Sequence, residues 1–184
     1  MTFLYARTLT PLGEMLLASD GFALCGAWFE GQKHFPVGDG SVRDGSVQDS
    51  GWTEAGEDGV LREAVRELER YFAGDLRGFS VPLAPRGTPF QKRVWACIAD
   101  ISYGRTESYG AIAARLRSSP RAVGTATGRN PVSLFVPCHR VVGGGGHITG
   151  YAGGLEKKKR LLTLEGVKLE REKILQESPL SPAF

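Results

Sequence analysis

Seven residues, Val81 to Gly87 (VPLAPRG), separate two stretches of different structural character. Prolines and glycine punctuate secondary structure, so this segment reads as a linker. Residues 1–86 carry 8 basic and 13 acidic side chains, whereas residues 87–184 carry 15 and 7. The basic half is the one that would meet a polyanion. The expected division is residues 1–82 as an N-terminal α/β domain, 87–168 as a C-terminal domain and 169–184 as a tail.

Upstream of the linker, TFLYARTL, EMLLAS and GFALCGAWF are short runs of β-formers separated by Pro-Leu-Gly and Asp-Gly turn signals, predicting a small antiparallel sheet. In the third run both alternating sets are apolar, with Phe22, Leu24 and Trp28 on one face and Ala23, Cys25, Ala27 and Phe29 on the other. Cys25 therefore reads as core. Residues 36–58 turn to Gly, Asp and Ser, a composition with too little apolar surface to offset ordering, and read as a mobile surface loop. Leu61, Val65, Leu68 and Phe72 then form the stripe of a helix that packs on the sheet.

Downstream, Thr88-Pro89-Phe90-Gln91 has the capping-box pattern and opens a helix whose stripe is Phe90, Val94, Cys97, Ile98 and Ile101. Two short helices follow, one opening at Ser108 and carrying Ile112 and Leu116, the other opening at Ser119-Pro120 and closing near Gly128. Their brief connection predicts a helix-turn-helix. The second is lined by Ala122, Gly124, Thr125, Ala126 and Gly128, small residues that permit close approach either to a neighbouring helix or to another surface. Long polar side chains that would reach major-groove base edges are mostly missing from it. A last helix is expected over Glu156–Glu165, with a disordered end at SPLSPAF. The fold class is thus α+β, a sheet and helix followed by a helical domain.

No stretch approaches the roughly 20 apolar residues that span a bilayer, and the first residues lack a signal-peptide pattern. Cys25, Cys97 and Cys138 are three cysteines without CxxC spacing, which suggests neither a disulfide framework nor a four-ligand zinc site. No metal or cofactor is expected, and a reducing, cytoplasmic setting fits.

Cys138 stands apart because it ends an apolar run beside His139 and Arg140 and precedes four glycines. A free thiol is mostly protonated near neutrality, so a nucleophilic cysteine needs a nearby cation, base or helix N-terminus. A Cys-His dipeptide alone is better explained by chance adjacency. In an extended chain the two side chains would diverge, leaving a bridging water to carry the proton.

Pro137-Cys138-His139-Arg140-Val141 resembles the active-site signature of the O6-alkylguanine-DNA alkyltransferases, and the resemblance continues through GTPFQKRVW, SYGAIA, RAVGTATGRNPVS, TGYAGG and LLTLEG, over about residues 87–166. It implies a ribonuclease-H-like N-terminal domain and a winged-helix-like C-terminal one. It also implies irreversible transfer of an alkyl group from O6-alkylguanine, and from O4-alkylthymine, to Cys138. His139 would be the base, Glu165 its orienting carboxylate, Asn130 the holder of the turn and Tyr109 a donor to the departing base. Val141, Ala152 and the backbone of Cys138 would read the base edge, and Tyr151 and Gly153 would form the pocket wall. Gly153, lacking a side chain, would leave room for bulky alkyl groups such as benzyl. Arg121 would fill the gap left by the extruded nucleotide, with Ala122, Gly124, Thr125, Ala126, Thr127 and Arg129 on the helix entering the minor groove. The implied partner is double-stranded DNA, met by a monomer capable of cooperative assembly, and the N-terminal half would be structural. Rival readings are a lesion-binding protein that lacks the acceptor cysteine, a transcription regulator with a redox-sensing cysteine, and a cysteine hydrolase; the presence of Cys138 counts against the first.

Overall fold

The computed structural model describes residues 3–35, 52–54 and 58–175. Strands β1 (Phe3–Thr10), β2 (Gly13–Ser19) and β3 (Leu24–Phe29) form the expected antiparallel meander. A fourth strand, β4 (Trp52–Glu54), pairs parallel with β1 at the opposite edge, giving the order β3-β2-β1-β4. Part of the segment expected as a surface loop is therefore sheet. Residues 36–51 and 55–57 lie outside the described residues, as does the SPLSPAF end.

The expected two-face alternation of β3 is broken by a register shift, in which Ala18 pairs with Gly26 but Ser19 with Leu24. The extra residue of a bulge reverses the facing of what precedes it. Leu24 consequently joins Ala27 and Phe29 in the main core, while Trp28 packs on the other face with Leu16, Ala18 and Phe35. Phe22, placed with Leu24 by the alternation, is 84% exposed ahead of the strand. Cys25 is buried, as expected.

Helix α1 (Gly59–Ala73) is capped by Asp58, whose carboxylate accepts from the Leu61 N–H at 2.7 Å. Its inward line is Leu61, Ala64, Leu68 and Tyr71, rotated slightly from the expected stripe; Val65 and Phe72 are only partly buried. Rotation puts a polar tip, the Tyr71 hydroxyl, into the interior. Glu67, also buried, accepts from the Ser80 and Val81 N–H groups and so fixes the approach to the linker.

After the linker the capping box forms as read. Thr88 accepts from the Gln91 N–H and the Gln91 side chain accepts from the Thr88 N–H, opening α2 (Pro89–Ala99). A short strand β5 (Glu107–Ser108) leads into α3 (Tyr109–Arg115), capped by Ser108, and α4 (Pro120–Gly128) is capped by Ser119, completing the helix-turn-helix. Strand β6 (Val141–Val142) pairs parallel with β5. Helix α5 (Leu155–Leu164) ends at Glu165. Beyond it, the expected tail is ordered as a hairpin, β7 (Leu169–Glu170) with β8 (Lys173–Ile174), which bridges back from Lys173 to His147.

The two halves are stitched together at the loop before Cys138. Ala27 of β3 donates its N–H to Pro131 O and accepts from the Ser133 N–H, both at 2.8 Å, so the sheet edge runs on into that loop. Phe79 stacks on Phe135 with ring centroids 4.5 Å apart. The main core spans both halves, holding Leu61, Leu68 and Tyr71 together with Ile98, Val132 and Leu161.

Candidate active site

A single 3-10 turn, Cys138–Arg140, carries the three residues singled out above, and all three are buried. Asn130 shapes its approach. The Asn130 amide donates to Val136 O at 2.8 Å and to Cys138 Sγ at 3.3 Å, while its Oδ1 accepts from the Val132 N–H at 3.0 Å. One side chain thus holds both ends of the loop and touches the sulfur. The tight turn also requires Leu134 to adopt φ 74°, an unfavourable region for a branched residue that the surrounding bonds hold in place.

His139 Nε2 lies 2.8 Å from Glu165 Oε1. Because a carboxylate only accepts, Nε2 carries the proton and Nδ1 presents its lone pair. Nδ1 is buried and has no hydrogen-bond partner. Burial holds the imidazole below its usual pKa, outweighing the pull of Glu165. Burial likewise pushes the Cys138 thiol up, opposed by the Asn130 hydrogen bond and by the charge of Lys158. At rest the pair is therefore a neutral thiol and a neutral base.

Glu165 is saturated with donors. Arg140 donates from Nε to Oε2 at 2.9 Å and from Nη2 to Oε1 at 3.0 Å, the Gly104 N–H donates to Oε2 at 3.1 Å, and the Tyr71 hydroxyl donates to Oε1 at 2.7 Å. Burial alone would raise its pKa, but the bonds from His139 and Arg140 win and hold it at about 2. Arg140 also donates from Nη1 to Ile101 O at 2.6 Å. A fixed negative charge thus faces the side of the imidazole away from Nδ1.

The expected pocket residues gather beside this turn. Tyr109 donates to Gly150 O at 3.1 Å, and burial with the nearby Cys138 sulfur moves its pKa up to about 12, so it remains a donor throughout the neutral range. Val141 donates its N–H to Cys138 O. Ala152 O accepts from the Lys33 N–H at 3.0 Å, so that carbonyl serves the contact with the N-terminal half. The room expected at Gly153 is filled: a Cβ there would lie 2.8 Å from Tyr151 Cε1 and 3.4 Å from Phe29 Cδ2. Gly153 lets the Tyr151 ring close in, and the Tyr151 hydroxyl is buried with no hydrogen-bond partner.

On α4, Arg121, Thr125 and Arg129 are exposed and Ala122 and Gly124 half-buried. Arg121, Ala122, Thr125 and Arg129 line an open concavity with Phe90 and Gln91 of α2. Ala126 is buried but lines the same concavity, and its carbonyl accepts from the Trp95 indole at 2.9 Å; Thr127, placed on that surface by the sequence reading, is instead buried, its hydroxyl donating to Val123 O at 2.8 Å. Gly124 faces the Tyr109 ring, which brings the helix against the pocket.

Two contributors went unseen in the sequence. Lys158 is fully buried, donating to Val141 O, to Thr149 O at 2.6 Å and to Gly150 O at 3.2 Å, so it ties β6 to the 149–150 loop. Its signal was present, since Lys158 falls three residues before Leu161 and four before Leu162 on the inward face of α5, but it sat inside the run Lys157-Lys158-Lys159, which looks like a solvated face. Tyr71 carried a comparable signal, three residues after Leu68, but nothing near it in sequence pointed to Glu165.

The fold and the site define a helix-turn-helix protein with a buried cysteine served by a carboxylate-backed imidazole. Residues 3–85 match the 6-O-methylguanine DNA methyltransferase, ribonuclease-like domain, and residues 89–167 match the 6-O-methylguanine DNA methyltransferase, DNA binding domain. The chain is 47% identical over 164 residues to a methylated-DNA–protein-cysteine methyltransferase of Methanosarcina acetivorans, covering 88% of this chain and 97% of the relative. It is 41% identical to the one from Mycobacterium leprae, over 85% of this chain and 88% of that one. A solved structure of the Mycobacterium tuberculosis OGT protein in complex with DNA superposes with a TM-score of 0.78 at 40% identity, covering 89% and 93% of the two chains. The chain belongs to the methylated-DNA–protein-cysteine methyltransferase family.

Proposed function

We propose that this protein repairs DNA by direct reversal, extruding O6-alkylguanine, and O4-alkylthymine, from the duplex and moving the alkyl group to Cys138. The observation that carries the assignment of roles is the line Glu165–His139, closed at 2.8 Å and leaving a buried, unpartnered Nδ1 beside the cysteine turn. The Cys138 proton passes through a water to Nδ1, and the imidazolium so formed is stabilised by Glu165, the division of labour of a nucleophile-base-acid triad. Sγ attacks the alkyl carbon, a C–S bond forms, and the C–O6 bond breaks with its electron pair going to guanine. Tyr109 donates to the ring as that charge develops. A thioether has no carbonyl for water to attack, so each molecule acts once.

An O6 substituent inside the helical stack is out of line for a protein sulfur, so the base is turned out, at a cost of a few kcal/mol that a damaged pair lessens. Arg121 enters the vacated space while Ala122, Gly124, Thr125 and Arg129 lie along the minor groove, whose limited sequence information suits a scanner for damage. The M. tuberculosis OGT structure in complex with DNA supports DNA as partner. We divide the chain into residues 1–82, 87–168 and 169–184, read it as monomeric away from DNA, and place it in the cytoplasm, where its three free cysteines stay reduced.

The test is to mix the protein with a duplex containing O6-methylguanine and weigh its peptides. One methyl on Cys138, and none on the Cys138→Ala protein, is the expected result. Repeated turnover by one polypeptide, or the methyl on Cys25 or Cys97, would overturn it.

A further inference from the structure

Tyr71 lies in the N-terminal half, 94 residues from Glu165 in sequence, yet its hydroxyl donates to Glu165 Oε1 at 2.7 Å. That same oxygen accepts from His139 Nε2 at 2.8 Å. We propose that Tyr71 is a positioning residue for the alkyl-transfer step, setting through Glu165 how strongly the His139 imidazole is held as a base. The proposal rests on the transfer reading above.

The physical reason is competition at one oxygen. A carboxylate has about four lone-pair sites, and here they meet Tyr71, His139, two nitrogens of Arg140 and the Gly104 N–H. Each donor withdraws charge from the lone pair facing Nε2. The Tyr71 hydroxyl therefore makes Glu165 a weaker partner for an imidazolium and keeps His139 neutral, and so ready to accept a proton, to lower pH. Burial holds the imidazole in the same direction. The other groups with charge to offer His139 are Arg140 and Lys158, both of which disfavour its protonation, and Cys138 lies next to it in the turn. Tyr103 and Tyr151 lie in the field of Glu165 as well.

The hydroxyl is aimed, not incidental. The Tyr71 ring is fully buried and is set by Phe72 and Phe79, each with centroids at 5.3 Å, and by Tyr103 at 6.1 Å. Phe79 in turn stacks on Phe135 in the loop that leads to Cys138. Tyr71→Phe removes the donor and keeps the ring. Phe79→Leu loosens the same aromatic cluster and keeps the donor.

Two readouts decide the matter. The single-turnover rate on an O6-methylguanine duplex is measured from pH 5 to 9 for wild type and both variants, and the His139 ring nitrogens are titrated by NMR on the DNA-free proteins. Losing one donor leaves Glu165 more basic, so Tyr71→Phe should raise the His139 pKa and move the acid limb of the rate upward by about half a unit or more, roughly a threefold loss of rate along that limb. Phe79→Leu should lower stability and leave both midpoints in place. Superimposable His139 titrations for wild type and Tyr71→Phe would overturn the proposal, and so would an equal displacement in Phe79→Leu. A wild-type protein that transfers no methyl would defeat the transfer reading, while the titration would still judge Tyr71.

Discussion

Replacing Lys158 by methionine isolates the energetic cost of one buried charge. The Lys158 ammonium is fully excluded from solvent, and the partners it holds are the carbonyls of Val141, Thr149 and Gly150. Burial draws its pKa down from the ordinary 10.5 to about 8, against an upward pull from Cys138. Between those values the unfolded chain binds the proton that the folded protein has released, so stability rises with pH through that window. At about 1.36 kcal/mol per pH unit, the gap corresponds to about 3 kcal/mol, of which about 2 to 3 kcal/mol should appear between pH 7 and pH 10. Methionine keeps the length and apolar stem and has no proton to lose. The assay is guanidinium unfolding of the protein with and without Lys158→Met at the two pH values, both forms carrying Cys138→Ala so that the coupled thiol drops out. Because removing the thiol also removes its upward pull on Lys158, the stability of the form that keeps Lys158, relative to Lys158→Met, should improve by at least that amount on going to pH 10. A difference that stays flat with pH would refute the placement of a charged ammonium in the interior.

Glu165→Gln should cost about 3–5 kcal/mol because Arg140 is left as an uncompensated buried cation, and should slow methyl transfer by roughly tenfold to a hundredfold, seen in urea unfolding and single-turnover kinetics. Since Glu165 is held at about 2, below its ordinary 4.5, its stabilisation is fully present above about pH 4.5 and is lost as pH falls through about 2. An acid titration followed by tryptophan fluorescence should show that loss in the wild type and not in Glu165→Gln. Gly153→Ala should destabilise by about 1–3 kcal/mol, because its Cβ meets the Tyr151 ring, and wild type should react poorly with O6-benzylguanine because that ring fills the space; thermal unfolding and mass spectrometry check the two statements. Arg121→Ala should reduce transfer from duplex DNA more than tenfold while leaving transfer from the free O6-methylguanine base unchanged, since only the duplex requires extrusion.

Local chemistry made much of this protein legible. The capping box at Thr88–Gln91 and the caps at Ser108 and Ser119 mark helix starts because their hydrogen bonds join residues three apart. The turn signals between the first three strands mark a meander for the same reason. Cys138 and His139 were visible as neighbours at the end of an apolar run, and Asn130, which holds that loop, came through the family resemblance.

What depends on distant partners was not legible. The bulge that reverses Leu24 against Trp28 arises from pairing with β2, and no alternation rule applied to β3 alone contains it. Ala126 and Thr127 look like the rest of α4 until α2 supplies Trp95 and closes the inner side. Helix periodicity marked Phe72 for the interior, but the core chose Tyr71, and with it a hydroxyl for Glu165.

The residues by themselves thus determined where helices begin, which cysteine lies beside an imidazole and that a helix-turn-helix follows the linker. Only the assembled core decided which charge is buried, which tyrosine reaches the carboxylate and how much room remains beside Gly153. Caps and turns are settled within a few residues of chain, whereas the field at His139 is summed from groups that only folding brings within a few ångströms of one another.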